Sequence, residues 1–177
     1  MKKFFLGVLM FIIFIVLYLI QSNFFDWFTI AGISPNIFII FMLFLGLFTN
    51  NRFSLAIAVL SGITLDLLVG RTLGVNTIVF CLIVVAGGYF DKNFSKENKI
   101  SIIIMVIGLT IGSEIISYLL NSLLLEIPLE LLPFAKILII EVIYNVILTF
   151  IFYGLILKLG GIIERQFKQR NILTRYF

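Results

Sequence analysis

Apolar residues in this chain run on instead of alternating with polar ones. Six continuous stretches can be read: Phe4–Ile20, Ile33–Phe48, Phe53–Val69, Leu73–Phe90, Ile100–Leu125 and Leu132–Leu159. They are close to the roughly 17–25 residues that a helix needs to cross a bilayer. None shows the alternation over about ten positions that marks a barrel strand. Helices close their own backbone hydrogen bonds, which hydrocarbon makes obligatory. The pattern therefore predicts an all-α integral membrane protein of six transmembrane helices. It divides into a six-helix domain over residues 1–163 and a basic cytoplasmic tail over 164–177.

Composition agrees. Hydrophobic residues make up 62% of the 177, charged residues 12%, and mean hydropathy is +1.21. A soluble domain is nearer half apolar and about a quarter charged. The opening "MKKFFLGVLMFIIFIVLYLIQSNFF" has the basic start of a signal peptide. Its apolar stretch is too long, however, and no small-x-small cleavage site follows, so a retained first helix is expected. Cys81 is the single cysteine and histidine is absent, which excludes an internal disulfide and a Cys/His zinc site. Cys81 itself reads as a small packing residue.

Charge sets the expected orientation, because basic residues concentrate on the cytoplasmic side. Lys2, Lys3, Arg52, Lys92, Lys96, Lys99, Lys158, Arg165, Lys168, Arg170 and Arg175 all fall on one side of a six-span alternation. Arg71 and Lys136 alone fall on the other. This predicts an N-in/C-in arrangement. Phe24, Phe25, Trp27 and Phe28 suit the outer interface, where aromatic rings anchor, and Pro35 is expected to open the second span. The tail "ERQFKQRNILTRYF" reads as a positive-inside anchor on anionic lipid. The basic pI of about 9.3 is explained by topology, so nucleic acid is not an expected partner.

Three acids, Asp66, Glu114 and Glu141, lie within the spans, where each costs roughly 2.5–3.5 kcal/mol at a helix centre unless it faces protein or water. At about 1.5 Å of rise per residue all three fall in the outer half. Thr110, Glu114, Ser117 and Asn121 share one face of the fifth helix. Gly108 and Gly112 form a GxxxG on its opposite face. A helix polar on one side and small on the other is expected to be buried on both. Glu141, Asn145 and Thr149 make a second stripe on the sixth helix. For Glu114 and Glu141 three readings stay open: helix–helix glue, a polar cavity open to the outside, and direct contact with a partner. Around Asp66, Gly70 and Gly74 bracket an outer turn, and an Asp66–Arg71 pair is expected to pin it.

Catalytic chemistry is missing. No nucleophile sits beside a base, and no HExxH, P-loop or D-x-D element occurs. No pair of Gly/Pro-broken spans in matching halves suggests a proton-coupled transporter. No catalytic, cofactor or metal site is expected, and the protein is read as a non-enzyme.

Pro35 at the second span, followed by "GITLDLLVGRTLGVN" from Gly62 to Asn76, resembles the rod shape-determining protein MreD family. The shared element is G-x-x-x-D-x-x-x-G-x-x-x-G, with Gly62, Asp66, Gly70 and Gly74 as motif positions and Arg71, Thr72 and Asn76 as flanks. The resemblance implies a place in the elongation machinery of rod-shaped bacteria, in the cytoplasmic membrane. It implies an MreC-like bitopic partner and, through it, MreB, RodA and its transpeptidase. It also implies a fold similar to the substrate-binding subunits of energy-coupling-factor transporters. A vitamin- or metal-binding subunit of that kind is the alternative function. The first helix argues against it, being bulky everywhere except Gly7. A holin-like or lipid-handling protein is a third class, disfavoured by the ordered set of buried acids. The expected function is a non-enzymatic membrane scaffold. Its partner-binding rim comprises Gly62, Asp66, Gly70, Arg71, Gly74 and Asn76. Its buried polar interior comprises Thr110, Glu114, Ser117, Asn121, Glu141 and Asn145.

Overall fold

The computed structural model of the chain describes residues 2–30, 32–69, 72–96, 98–126 and 128–167. These form six helices: α1 (Lys2–Asn23), α2 (Ile37–Phe48), α3 (Asn51–Val69), α4 (Val75–Asn93), α5 (Lys99–Leu125) and α6 (Leu131–Phe167). A single 3-10 turn, Phe25–Phe28, follows α1. No strand occurs among the described residues; Ile30 and Ile33 exchange one isolated bridge.

Five helices are long and apolar enough to cross a membrane. Their outward faces show why. Phe4, Leu67, Ile104 and Phe150 are each 63–79% exposed, and a water-facing surface could not carry so many large apolar side chains. The chain is a multi-pass membrane protein. Successive helices run in opposite directions, so the ends of the described chain meet. The Lys3 ammonium stands 6.0 Å from the centre of the Phe167 ring, and the Phe167 ring packs at a tilt against Phe53 at the start of α3, with centroids 4.5 Å apart. At this same end Lys96 bridges Asp91 and Glu164, both at 2.6 Å, with its ammonium over the Phe48 ring. That pairing ties the α4–α5 connection to α6.

The second helix departs from expectation. The apolar run Ile33–Phe48 suggests a full span opened by Pro35. The helix instead begins at Ile37, with Asn36 as its N-cap, and has 12 residues. At about 1.5 Å per residue it reaches roughly 18 Å, short of the ~30 Å hydrocarbon core. Its surroundings explain how this is tolerated. Ten of its residues are buried, so α2 is an internal strut with little surface facing lipid. Its N-terminal backbone needs partners inside the protein, and it has them. Asn36 N–H donates to Asn145 Oδ1 at 2.9 Å and Ile37 N–H to Gln21 Oε1 at 3.3 Å. Gln21 also donates from Nε2 to the Pro35 carbonyl at 2.5 Å. Irregular backbone at membrane depth survives only where protein satisfies it in this way.

Close backbone approach sets the α2–α4 contact. A Cβ added at Gly46 would lie 2.7 Å from the Val84 carbonyl oxygen and 3.0 Å from the Gly87 Cα. The GxxxG of α5 behaves otherwise. Nothing lies within 4 Å of a Cβ built at Gly108 or Gly112. The expectation that this face is buried within the chain is therefore wrong; α5 turns its polar face inward and its small face outward. Finally, α6 continues unbroken past residue 163 to Phe167, while residues 168–177 of the expected tail lie outside the described residues.

Candidate functional site

Helix α4 begins without a capping side chain of its own. Its N-cap is Gly74, at φ +94°, a left-handed conformation that glycine adopts without a Cβ penalty. The first backbone N–H groups of a helix have no intrahelical acceptor. Here Asp66, on the neighbouring helix, accepts them. Its Oδ2 receives Gly74 N–H at 2.9 Å, Thr77 N–H at 3.2 Å and the Thr77 hydroxyl at 2.7 Å. Its Oδ1 receives Asn76 N–H at 3.0 Å and Asn76 Nδ2 at 2.9 Å. The carboxylate is 2% exposed and sits at the positive end of the α4 dipole. Asp66 is a capping residue supplied across a helix pair.

Gly62, one turn before Asp66, makes that reach possible. A Cβ there would collide with the Thr77 Cα, so only glycine lets α3 and α4 meet closely enough. Four of the six rim residues expected from sequence are thus one unit: Gly62 sets the distance, Gly74 the turn, and Asp66 and Asn76 the hydrogen bonds. Gly70 and Arg71, and with them the expected Asp66–Arg71 pair, lie outside the described residues.

Below the turn lies a cavity of about 380 Å³. Asp66, Thr72 and Asn76 line its upper part, and Glu114, Ser117 and Asn121 line it from α5. Thr72 closes across the mouth by donating its hydroxyl to Asn121 Oδ1 at 2.7 Å. Asn36 and Phe80 complete the deep end. Glu141 does not line the cavity; it lies behind Asn36 and Glu114, within reach of both side chains. Glu141 is 5% exposed, and its Oε1 has no partner among the described residues; neither has Asn36 Oδ1.

Thr110 and Asn145 stand apart from the cavity and act as a knot. Asn145 Nδ2 donates to Thr110 Oγ1 at 3.1 Å, its Oδ1 accepts from Asn36 N–H, and the Thr149 hydroxyl bonds its carbonyl at 2.6 Å. All three of these side chains are 0% exposed. One asparagine therefore joins α2, α5 and α6.

The structure brings the two sequence-derived groups together, since Asp66 and Asn76 share a cavity with Glu114, Ser117 and Asn121. Sequence reading missed Thr77, Gln21 and Asn36. Thr77 was legible in principle: "GVNT" opens a helix with no acceptor at its N-cap, so a distant acid must serve. Gln21 and Asn36 lie where α2 falls short of its apolar run, and the run conceals that shortening.

Among the described residues no group of three His, Cys, Asp or Glu side chains could hold a metal ion. Fold and site together define a helical, multi-pass membrane protein with a polar cavity under one interhelical turn. The family model for the rod shape-determining protein MreD matches residues 1–159, and the chain belongs to that family. No curated protein and no solved structure matches it. Membership places it in the bacterial cytoplasmic membrane with a role in rod-shape determination.

Proposed function

We propose that the protein is a non-enzymatic scaffold of cell elongation that holds an MreC-like bitopic partner, with both its termini in the cytoplasm. Through that partner it would connect to MreB, RodA and the associated transpeptidase. The supporting observation is the start of α4, where five hydrogen bonds from Gly74, Asn76 and Thr77 to Asp66 tie the helix end to α3 at the bundle end. A helix start held in this way loses little conformational freedom on binding, which favours its use for recognition. On this reading Asp66 and Gly62 shape the rim from within, and exposed neighbours touch the partner. Leu73, 73% exposed at the turn, is the foremost of these. The basic residues gathered at the opposite end support the orientation.

Co-purification of the MreC-like partner with stably inserted Leu73→Asp tests the contact. The expected result is loss of the partner at unchanged protein level. Retention of the partner at wild-type yield would remove the turn from the interface.

A further inference from the structure

We propose that the cavity beneath the α3–α4 turn binds the protonated amine of a small organic cation, held by Glu114 and Asn36, with Glu141 behind them. Its starting point is an imbalance of donors and acceptors. Glu141 Oε1 and Asn36 Oδ1 are both buried acceptors with no donor among the described residues, and Glu114 adds a carboxyl group beside them. Buried acceptors normally find partners, and one oxygen on each of these two side chains, Glu141 and Asn36, has none. No described residue lining the cavity is basic, and Lys136, nearest to Glu141 along α6, is exposed. The group that fits is a pure donor with positive charge. An ammonium has three N–H donors and no acceptor, which suits the Asn36 oxygen and the Glu114 carboxyl group that line the cavity.

The rest of the cavity selects an organic cation over a metal ion. Hard cations need about six or more oxygens at short range, whereas no three acidic, His or Cys side chains cluster among the described residues. A volume of about 380 Å³ lies at the lower end of small-molecule pockets and far exceeds a bare ion. Ile39, Val79 and Phe80 give the space beside the acids an apolar wall suited to a short hydrocarbon stem. This inference does not depend on the scaffold reading; a ligand could occupy the cavity whether or not the turn above it binds a partner.

The test uses the purified full chain in detergent, with thermal unfolding followed against n-butylammonium chloride, butan-1-ol and sodium chloride. The proposal expects a saturable rise in Tm with the ammonium and none with the alcohol or with sodium at equal concentration. Folded Glu114→Gln should weaken the apparent affinity about tenfold or more, the cost of losing one charge-assisted contact. An equal effect from butan-1-ol would make the cavity merely apolar, and an equal effect from sodium would make the response one of ionic strength. No shift with any of them would mean that water alone serves the two oxygens. Binding seen only in Arg71→Ala would assign the acids to the chain's own arginine. Each of these four results overturns the proposal. If Glu114→Gln does not fold, the comparison of ammonium with alcohol on the wild-type chain decides.

Discussion

Asp66 caps a helix to which it does not belong: from α3 it accepts both the backbone N–H and the hydroxyl of Thr77, at 3.2 and 2.7 Å, in the first turn of α4. With the N–H groups of Gly74 and Asn76 added, three orphan donors of α4 end on one carboxylate. The motif acid of this chain is therefore a structural clamp first, and any role in recognition passes through the turn it holds.

Replacing Asp66 should show this. Asp66→Leu leaves three buried N–H groups without an acceptor and is expected to cost on the order of 3 kcal/mol. Asp66→Asn keeps the shape but places an amide NH2 among donors, at a cost of about 1–2 kcal/mol. Denaturant unfolding in detergent measures both. The account also expects inserted Asp66→Leu to lose its partner, since the turn loosens. Full stability in Asp66→Leu would remove the clamp.

Gly62 sets how closely α3 and α4 approach. Gly62→Val drives its side chain into the Thr77 backbone and should destabilise by about 1–3 kcal/mol, the usual range for overpacking. Gly108→Val meets open space on α5 and should leave the unfolding midpoint nearly unchanged. Measuring the two side by side separates packed from unpacked glycines. Equal effects would contradict the assigned packing.

Asn145 holds the buried start of α2. Asn145→Ala strands Asn36 N–H and removes the partner of Thr110, for an expected loss of about 2–4 kcal/mol by orphaning two polar groups. Hydrogen exchange should show faster exchange at Asn36, with amides at the α4 start unaffected.

How much of this could be read in the sequence follows from what hydrocarbon enforces. Every span must be helical and apolar, so the runs themselves declared six helices, and the rarity of acids singled out Asp66, Glu114 and Glu141. The length of α2 was hidden because a helix buried among helices is as apolar as one facing lipid. The outward face of Gly108 and Gly112 was hidden for a related reason, since GxxxG says that close approach is possible without saying to what. The partnership of Asp66 with Thr77 spans eleven residues and a turn, beyond the reach of helical periodicity.

Orientation can be checked with one cysteine at a time in a Cys81→Ser background. A membrane-impermeant maleimide applied to intact spheroplasts should label Leu73→Cys and spare Lys92→Cys. The reverse pattern would invert the proposed topology.

The most direct measurement of the scaffold reading is affinity purification of the wild-type protein from its native membranes in mild detergent, with its companions identified by mass spectrometry. The account predicts a single-span coiled-coil protein together with wall-synthesis enzymes. Recovery instead of a pair of ATPases with a coupling membrane subunit would contradict it.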